Sequence, residues 1–250
     1  LEQRFKNTCQ GCGKRFKSNE YLYPKDEVCS DECRVKIEEE KKKASEEHKK
    51  RRIQNQITLQ IPPRYQDIIT DKTDILNTHF NKSVFITGPV GSGKTVFLAS
   101  MAKKVIKELP QTENIEAIYS RVTNKQHIIS LSYNTTWISY PSFIMKLQSA
   151  YKKNNDQNSP YDMAADIARF PGYLFIDDLA AEKLTDFVRQ ITYYILNERE
   201  QYCLTTAITS NFSLDEIDRY VDRRVSSRIG GMCEVLKFKG NDRRIVKGAL

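Results

Sequence analysis

Gly88-Pro89-Val90-Gly91-Ser92-Gly93-Lys94-Thr95 fits the pattern G-x-x-x-x-G-K-[ST] at every position. Such a loop wraps phosphates with its backbone N–H groups, so it needs small residues that let an anion approach the main chain. Gly91 and Gly93 permit that approach, and Gly88, Pro89, Val90 and Ser92 complete the turn. Lys94 brings a point charge to the β- and γ-phosphates. Thr95 offers a hydroxyl ligand to Mg²⁺ and starts a helix whose positive end faces the anion. A chance glycine-rich turn would lack flanking elements. Here Val84-Phe85-Ile86-Thr87 predicts a strand entering the loop, and the pattern from Lys94 to about Glu108 predicts a helix leaving it.

Downstream, strand and helix patterns alternate. Thr136 to Tyr140 predicts a strand, and Ser142 is the expected cap of a helix running to about Lys153. The stretch from Asn154 to Pro160 is a loop, followed by a helix over about Tyr161–Arg169. Tyr173-Leu174-Phe175-Ile176 is a buried strand ending in Asp177-Asp178. A helix over about Thr185–Gln201 and a strand from Leu204 to Thr209 come next. That alternation predicts an α/β fold with a parallel, doubly wound sheet flanked by helices. Residues 111–133 are a polar insertion whose alternating character suggests a hairpin.

Ligands of such sheets sit at the carboxyl ends of the strands. Asp177 is therefore placed to hold Mg²⁺ through water, and Asp178 to polarise an attacking water. Asn211, after the next strand, is placed to position that water or touch the γ-phosphate. In Asp222-Arg223-Arg224-Val225-Ser226-Ser227-Arg228-Ile229 the charges suit a solvated helix face. They equally suit the extra cation that phosphoryl transfer often takes from a neighbouring subunit. Arg228 is the first choice for that cation, with Arg224 one helical turn earlier.

The net charge of +8 suits an anionic partner such as nucleic acid, although charge alone does not separate that from a merely basic protein. No apolar run approaches the roughly 18 residues of a membrane helix. Leu1-Glu2-Gln3-Arg4-Phe5-Lys6 does not resemble a signal peptide, so a cytoplasmic site is expected.

Cys9, Cys12, Cys29 and Cys33 form two close pairs, the spacing of a tetrahedral Zn²⁺ site. Gly11 and Gly13 allow the tight turn that aims two thiolates at one ion. So short a span does not fold without a staple. Residues 1–33 are therefore expected to be a zinc-binding module. Residues 34–61, with Glu to Lys spacings of three and four, form a charged helical linker with too few apolar positions to pack deeply. Pro62-Pro63 ends it. Cys203 and Cys233 are expected to pack as small hydrophobes, and His48, His79 and His127 have no ligand-like spacing.

In this order the motifs resemble those of the AAA+ ATPases of the DnaC/DnaI helicase-loader group, which includes the IstB transposition helpers. The matching residues are Ile61-Pro62-Pro63-Arg64-Tyr65, the loop at 88–95, Phe175-Ile176-Asp177-Asp178-Leu179, Thr209-Ser210-Asn211, Val225-Ser226-Ser227-Arg228-Ile229 and Gly240-Asn241-Asp242-Arg243-Arg244. They span roughly residues 59–247. The resemblance implies a P-loop AAA+ core over 62–250 without a full lid domain, binding and hydrolysing ATP at interfaces of an ATP-bridged oligomer. Asn211 would be sensor 1, Arg228 the arginine finger, and Arg64 and Tyr65 neighbours of the adenine; Arg243 or Arg244 would partly replace a sensor 2. The family's single-stranded DNA contacts fall on about Phe143–Arg169. There Phe143, Lys146, Tyr151, Lys152 and Lys153 offer stacking and phosphate charge, while helical spacing places Phe143 equally well in the core. The zinc module implies docking to a replicative DNA helicase.

Three functions fit these residues. The first is an ATP-dependent loader of the replicative helicase onto single-stranded DNA. The second is an IstB-like transposition helper acting on duplex DNA, against which the zinc module argues. The third is an ATP-bound adaptor without turnover, against which Asp178, Asn211 and Arg228 argue.

Overall fold

The computed structural model describes residues 7–16, 28, 30–108, 135–153, 159–180 and 185–240. The 111–133 insertion, Cys29, residues 154–158 of the predicted loop, His127 and the tail carrying Arg243 and Arg244 lie outside the described residues. The chain divides into two compact units, Leu1–Asn55 and Gln56–Leu250.

In the first unit, β1 (Asn7–Thr8) pairs antiparallel with β2 (Arg15–Phe16), and α1 (Asp31–Gln60) begins after it. Asp31 and Glu32 in the first turn suit the positive end of the helix. The helix is charged and exposed over most of its length, as its composition predicts. Its end departs from expectation: Gln56 and Ile57 are buried, as is Ile61 beyond it. Gln56 Nε2 donates to Thr135 Oγ1 at 3.0 Å, and Thr135 Oγ1 donates to Gln60 Oε1 at 2.7 Å. Two amides bridged by one hydroxyl serve here where apolar residues are few.

The second unit is built on a sheet of five strands. These are β3 (Val84–Thr87), β4 (Thr135–Ser139), β5 (Tyr173–Asp177), β6 (Thr206–Ser210) and β7 (Glu234–Lys237). They lie in the order β4-β5-β6-β3-β7, and every pairing is parallel. The three inner strands are buried at every residue. Helices on both faces of a parallel sheet demand that, and it explains their near-continuous apolar runs. The helices are α2 (Thr73–His79), α3 (Lys94–Glu108), α4 (Tyr140–Lys153), α5 (Pro160–Ala168), α6 (Asp186–Gln201), α7 (Leu214–Tyr220) and α8 (Arg223–Met232). Phe85, Leu174, Ile176 and Ile208 share a buried cluster with residues of α4 to α8. Alternate residues such as Ile86 and Phe175 point to the opposite face, where α3 crosses β4, β5 and β6.

Caps set several helix starts. The side chains of Ser159, Thr185 and Asp222 accept from Tyr161 N, Val188 N and Arg224 N. Ser213 and Glu216 form a reciprocal capping box on α7. Ser142 is not the cap expected for α4. That helix starts at Tyr140, with Pro141 in its first turn where a missing N–H costs nothing. The edge strand β7 has no counterpart in the sequence reading. Among the described residues it pairs only with β3, its residues are mostly exposed, and so it carries no apolar run. Cys233 is buried, but Cys203 is exposed at the end of α6 in a left-handed conformation (φ 51°), so it does not pack as a small hydrophobe.

Candidate functional site

The strand β3 delivers its last residue, Thr87, to the loop 88–93, and α3 starts at Lys94. Gly91 and Gly93 have φ of 76° and 91°, which L side chains rarely adopt. Gly88 answers a different need. A Cβ there would lie 2.3 Å from the Phe238 carbonyl oxygen, because Phe238 N donates to Thr87 O alongside. Lys94 is buried, and its ammonium donates to Gly88 O (2.8 Å), Pro89 O (2.9 Å) and Asn211 Oδ1 (2.8 Å). The charge is thus held at the mouth of the loop by neutral acceptors, which an anion would outcompete. Ser92 Oγ is buried with no hydrogen-bond partner among the described residues. Such a group at a cradle of N–H groups fits an oxygen-rich ligand such as a phosphate.

Two carboxylates face this loop. Asp177 Oδ1 accepts from Thr95 Oγ1 (3.1 Å) and from Thr209 Oγ1 (2.7 Å). Burial pushes the Asp177 carboxyl up to about 6; the Thr209 bond opposes, Asp178 raises it further, and Thr95 and Lys94 oppose. The hydroxyl of Thr95 and the carboxylate of Asp177 are hard oxygen donors of the kind Mg²⁺ takes. Asp178 has φ 58°, a left-handed conformation costing a non-glycine residue on the order of 1 kcal/mol. Thr209 holds it there, accepting Asp178 N–H at Oγ1 (2.9 Å) and Leu179 N–H at its carbonyl (2.8 Å). Thr209 therefore orders both carboxylates. Sequence reasoning quoted Thr209 without giving it this role; a hydroxyl residue two places before Asn211 was the available signal.

Lys94, Thr95, Asp178 and Asn211 line one end of a cavity of about 540 Å³, within the range of small-molecule sites. Its other end is walled by Arg64, Tyr65 and the segment Ile68–Lys72. The Arg64 guanidinium stands 5.9 Å from the centroid of the Tyr65 ring. Arg64 and Tyr65 line the same cavity as the loop, joined by Ile68 and Ile69, whose apolar side chains are exposed. The structure unites an apolar wall, a phosphate-type loop and two carboxylates.

No family model matches the chain, and no curated protein matches it in sequence. Solved structures do match in fold. The DnaC helicase loader is matched over its whole length and 71% of this chain, at 18% identity and a TM-score of 0.52. DnaI is matched over 95% of its length and 74% of this chain, at 19% identity and a TM-score of 0.50. The replication initiator DnaA bound to AMPPCP and single-stranded DNA is matched over 75% of this chain and 55% of its own, at 16% identity and a TM-score of 0.51. The fold is the one shared by the DnaC helicase loader and DnaI.

Arg224 and Arg228 lie on α8, and neither lines this cavity. Arg228 Nη1 donates to Glu200 Oε2 (2.6 Å), and its guanidinium stands 5.8 Å from the Tyr193 ring centroid. Arg224 forks Asp222 through Nε (3.1 Å) and Nη2 (2.8 Å) and lies 4.8 Å from the same ring. Tyr193 serves both arginines as a platform.

The nucleic-acid candidates separate. Phe143 is buried in the core cluster, so it has no face to stack on a base; the expectation for it is corrected. Met145 and Lys146 beside it are exposed. Tyr151 is 63% exposed and packs on Phe187, with ring centroids 5.5 Å apart and Tyr161 on the same ring at 6.3 Å. Lys152 and Lys153 are the last residues of α4.

In the amino-terminal unit the thiols of Cys9, Cys12 and Cys33 lie within 4.8 Å of one another. Gly13 N donates to Cys9 O and Cys9 N to Lys14 O, closing a turn that needs Gly13 at φ 71°. A Cβ on Gly11 would lie 3.0 Å from Cys33 Cβ and from its carbonyl oxygen, so only glycine lets the two segments meet without strain. Three converging thiols fit a closed, soft-ligand zinc site, and Cys29 would be the fourth ligand by spacing. Among the described residues no helix is long and apolar enough to cross a membrane.

Proposed function

We propose that this chain is an ATP-dependent loader of a replicative DNA helicase onto single-stranded DNA. One observation carries the reading. Lys94, Asp178 and Asn211 meet in a single cavity, inside a fold that matches the DnaC helicase loader over its whole length. The thiol cluster lies in a compact unit of its own, which supports reading that unit as the docking module.

ATP binds with its phosphates in the loop 88–93. Lys94 leaves the carbonyls of Gly88 and Pro89 and the Asn211 amide for the β- and γ-phosphates. The freed Asn211 amide orients the attacking water, and Asp178 polarises it and takes its proton as the bond from the γ-phosphorus to the leaving ADP oxygen breaks. Thr95 and Asp177 would hold Mg²⁺, which when bound neutralises charge on the phosphate oxygens. Arg228, engaged with Glu200 in its own chain, supplies the extra cation to a neighbouring subunit's site, with Arg224 behind it. Hydrolysis is thereby tied to an ATP-bridged oligomer. Tyr151, Tyr161 and Phe187 with Lys146 form the surface that takes single-stranded DNA by stacking and phosphate charge. Cys9, Cys12, Cys29 and Cys33 would hold the zinc that keeps the docking module folded.

The test is co-elution with the replicative helicase on size exclusion, in ATP and Mg²⁺, of the intact protein and a Cys9→Ser, Cys12→Ser variant. A complex made by the intact protein and lost in the variant, with ATP binding retained, is the expected result. No complex from the intact protein at micromolar concentration removes the loader reading. In that event duplex DNA is the next sample, for the transposition-helper activity.

A further inference from the structure

Ser100 and Lys103 stand three residues apart on one face of α3. Lys103 is only 7% exposed, in a position where a helix packed on the core ordinarily carries an apolar side chain. Its ammonium donates to Tyr65 O (2.9 Å), Gln66 O (3.0 Å) and Ile68 O. Three donors meet three acceptors, so the buried cation is saturated by backbone carbonyls. Burial pulls the Lys103 pKa down; Lys107 pulls the same way and Asp67 opposes. One turn earlier, Ser100 Oγ accepts Thr70 N–H (2.9 Å) and donates to Val96 O (2.9 Å). The backbone at 65, 66, 68 and 70 is thus anchored to a single helix face.

Residues 66–72 belong to no helix or strand. The side chain of Gln66 adds two ties, donating to Ile61 O at 2.8 Å and to Thr58 O at 3.3 Å. Yet this segment contributes Ile68, Ile69 and Thr70 to the cavity wall, beside Tyr65. An irregular segment gives a shaped wall only if something else sets its course, and here that is the ammonium and hydroxyl of α3. The same helix carries Lys94 and Thr95 at its first turn. One rigid rod therefore sets the distance from the phosphate loop to the apolar wall.

We propose that Lys103, seconded by Ser100, is a positioning residue for recognition of the nucleotide base: it shapes the base end of the cavity and holds it in register with the phosphate end. The proposal rests on the reading of this cavity as a nucleotide site. It predicts that removing the clamp weakens what the base contributes to binding and leaves what the phosphates contribute.

The experiment measures binding of ATP and of inorganic tripolyphosphate, each with Mg²⁺, to the full chain and to its Lys103→Met variant. In the intact protein ATP should bind tighter than tripolyphosphate. In the variant, ATP affinity should fall about tenfold, the scale of an ordinary coupling between sites, while tripolyphosphate affinity stays within about twofold. An intact protein that binds both alike sinks the nucleotide reading of the base end itself. An intact protein that prefers ATP, with a variant that keeps the full preference or loses both affinities equally, overturns only the role of Lys103. If thermal unfolding shows that Lys103→Met does not fold, Ser100→Ala decides. Loss of its single neutral hydrogen bond to Thr70 should cut the preference for ATP about threefold to fivefold, and an unchanged preference overturns the proposal.

Discussion

At the end of the cavity proposed for the phosphates, consecutive residues from Gly88 to Thr95 form one continuous loop and helix start. At the end proposed for the base, the wall from Arg64 to Lys72 is held from behind by Ser100 and Lys103, which do not line the cavity. The first end is local chemistry: loop, helix start and lysine come in one stretch of chain. The second is assembled across more than thirty residues of sequence, from Tyr65 to Lys103. A local device fails when any of its members changes. A supported wall fails by degrees, as its ties are removed.

The largest effect should therefore lie in the loop. Lys94→Ala removes the cation that the Gly88 and Pro89 carbonyls and Asn211 hold at the loop, and ATP turnover followed by phosphate release should fall about 10³-fold. Turnover within tenfold of the parent would break the contrast outright. Asp178→Asn comes next. A lost general base should lower turnover about 10²-fold while ATP binding, read by calorimetry, is retained; a matching loss of binding would make Asp178 a structural part of the loop.

Gly88→Ala tests whether the loop depends on the tertiary structure after all. Its Cβ would meet the Phe238 carbonyl at 2.3 Å. Urea unfolding should show a loss of about 2 kcal/mol, and an unchanged midpoint would mean that the segment after β7 yields easily. The smallest effect has the opposite sign. Asp177 has its pKa raised to about 6 in the fold from 3.8, chiefly by burial. Ionising it costs the folded state nothing below the unfolded value and the full penalty above about 6. Asp177→Asn should thus raise the unfolding temperature near pH 7.5 by an amount worth about 1 kcal/mol, and the gain should vanish near pH 3, below the unfolded value. A gain that is equal at both would assign the effect to packing instead of charge.

The two ends differ in legibility for the same reason. Strands β3, β5 and β6 and helix α3 are plain in the sequence because full burial on both sheet faces demands apolar runs. The motif Gly88–Thr95 is plain because phosphate contact restricts residue type at fixed spacing. Cys9, Cys12 and Cys33 are legible on similar grounds, since their spacing is that of a tetrahedral metal site and their thiols do converge. Elements held by pairing alone are not legible. The strand β7 is mostly exposed, and its partner β3 supplies the order. Tyr140 starts α4 early, with its hydroxyl hydrogen-bonded to Thr192 Oγ1 on α6, a contact that no local pattern announces. Phe143 has the composition of a stacking residue, and burial removes it from that role.

Taken by itself, the sequence determined the phosphate loop, the acidic pair at the end of β5, the thiol spacing and the alternation that makes a parallel sheet. Each of these is written in neighbouring residues, where chemistry and backbone geometry act over a few bonds. Only the tertiary structure decided that Thr209 orders both carboxylates, that Phe238 forbids a side chain at Gly88, and that Lys103 fastens the wall from Tyr65 to Ile68. Those depend on groups far apart in the chain meeting at hydrogen-bond distance. A buried lysine or threonine has the same letter wherever its partners lie.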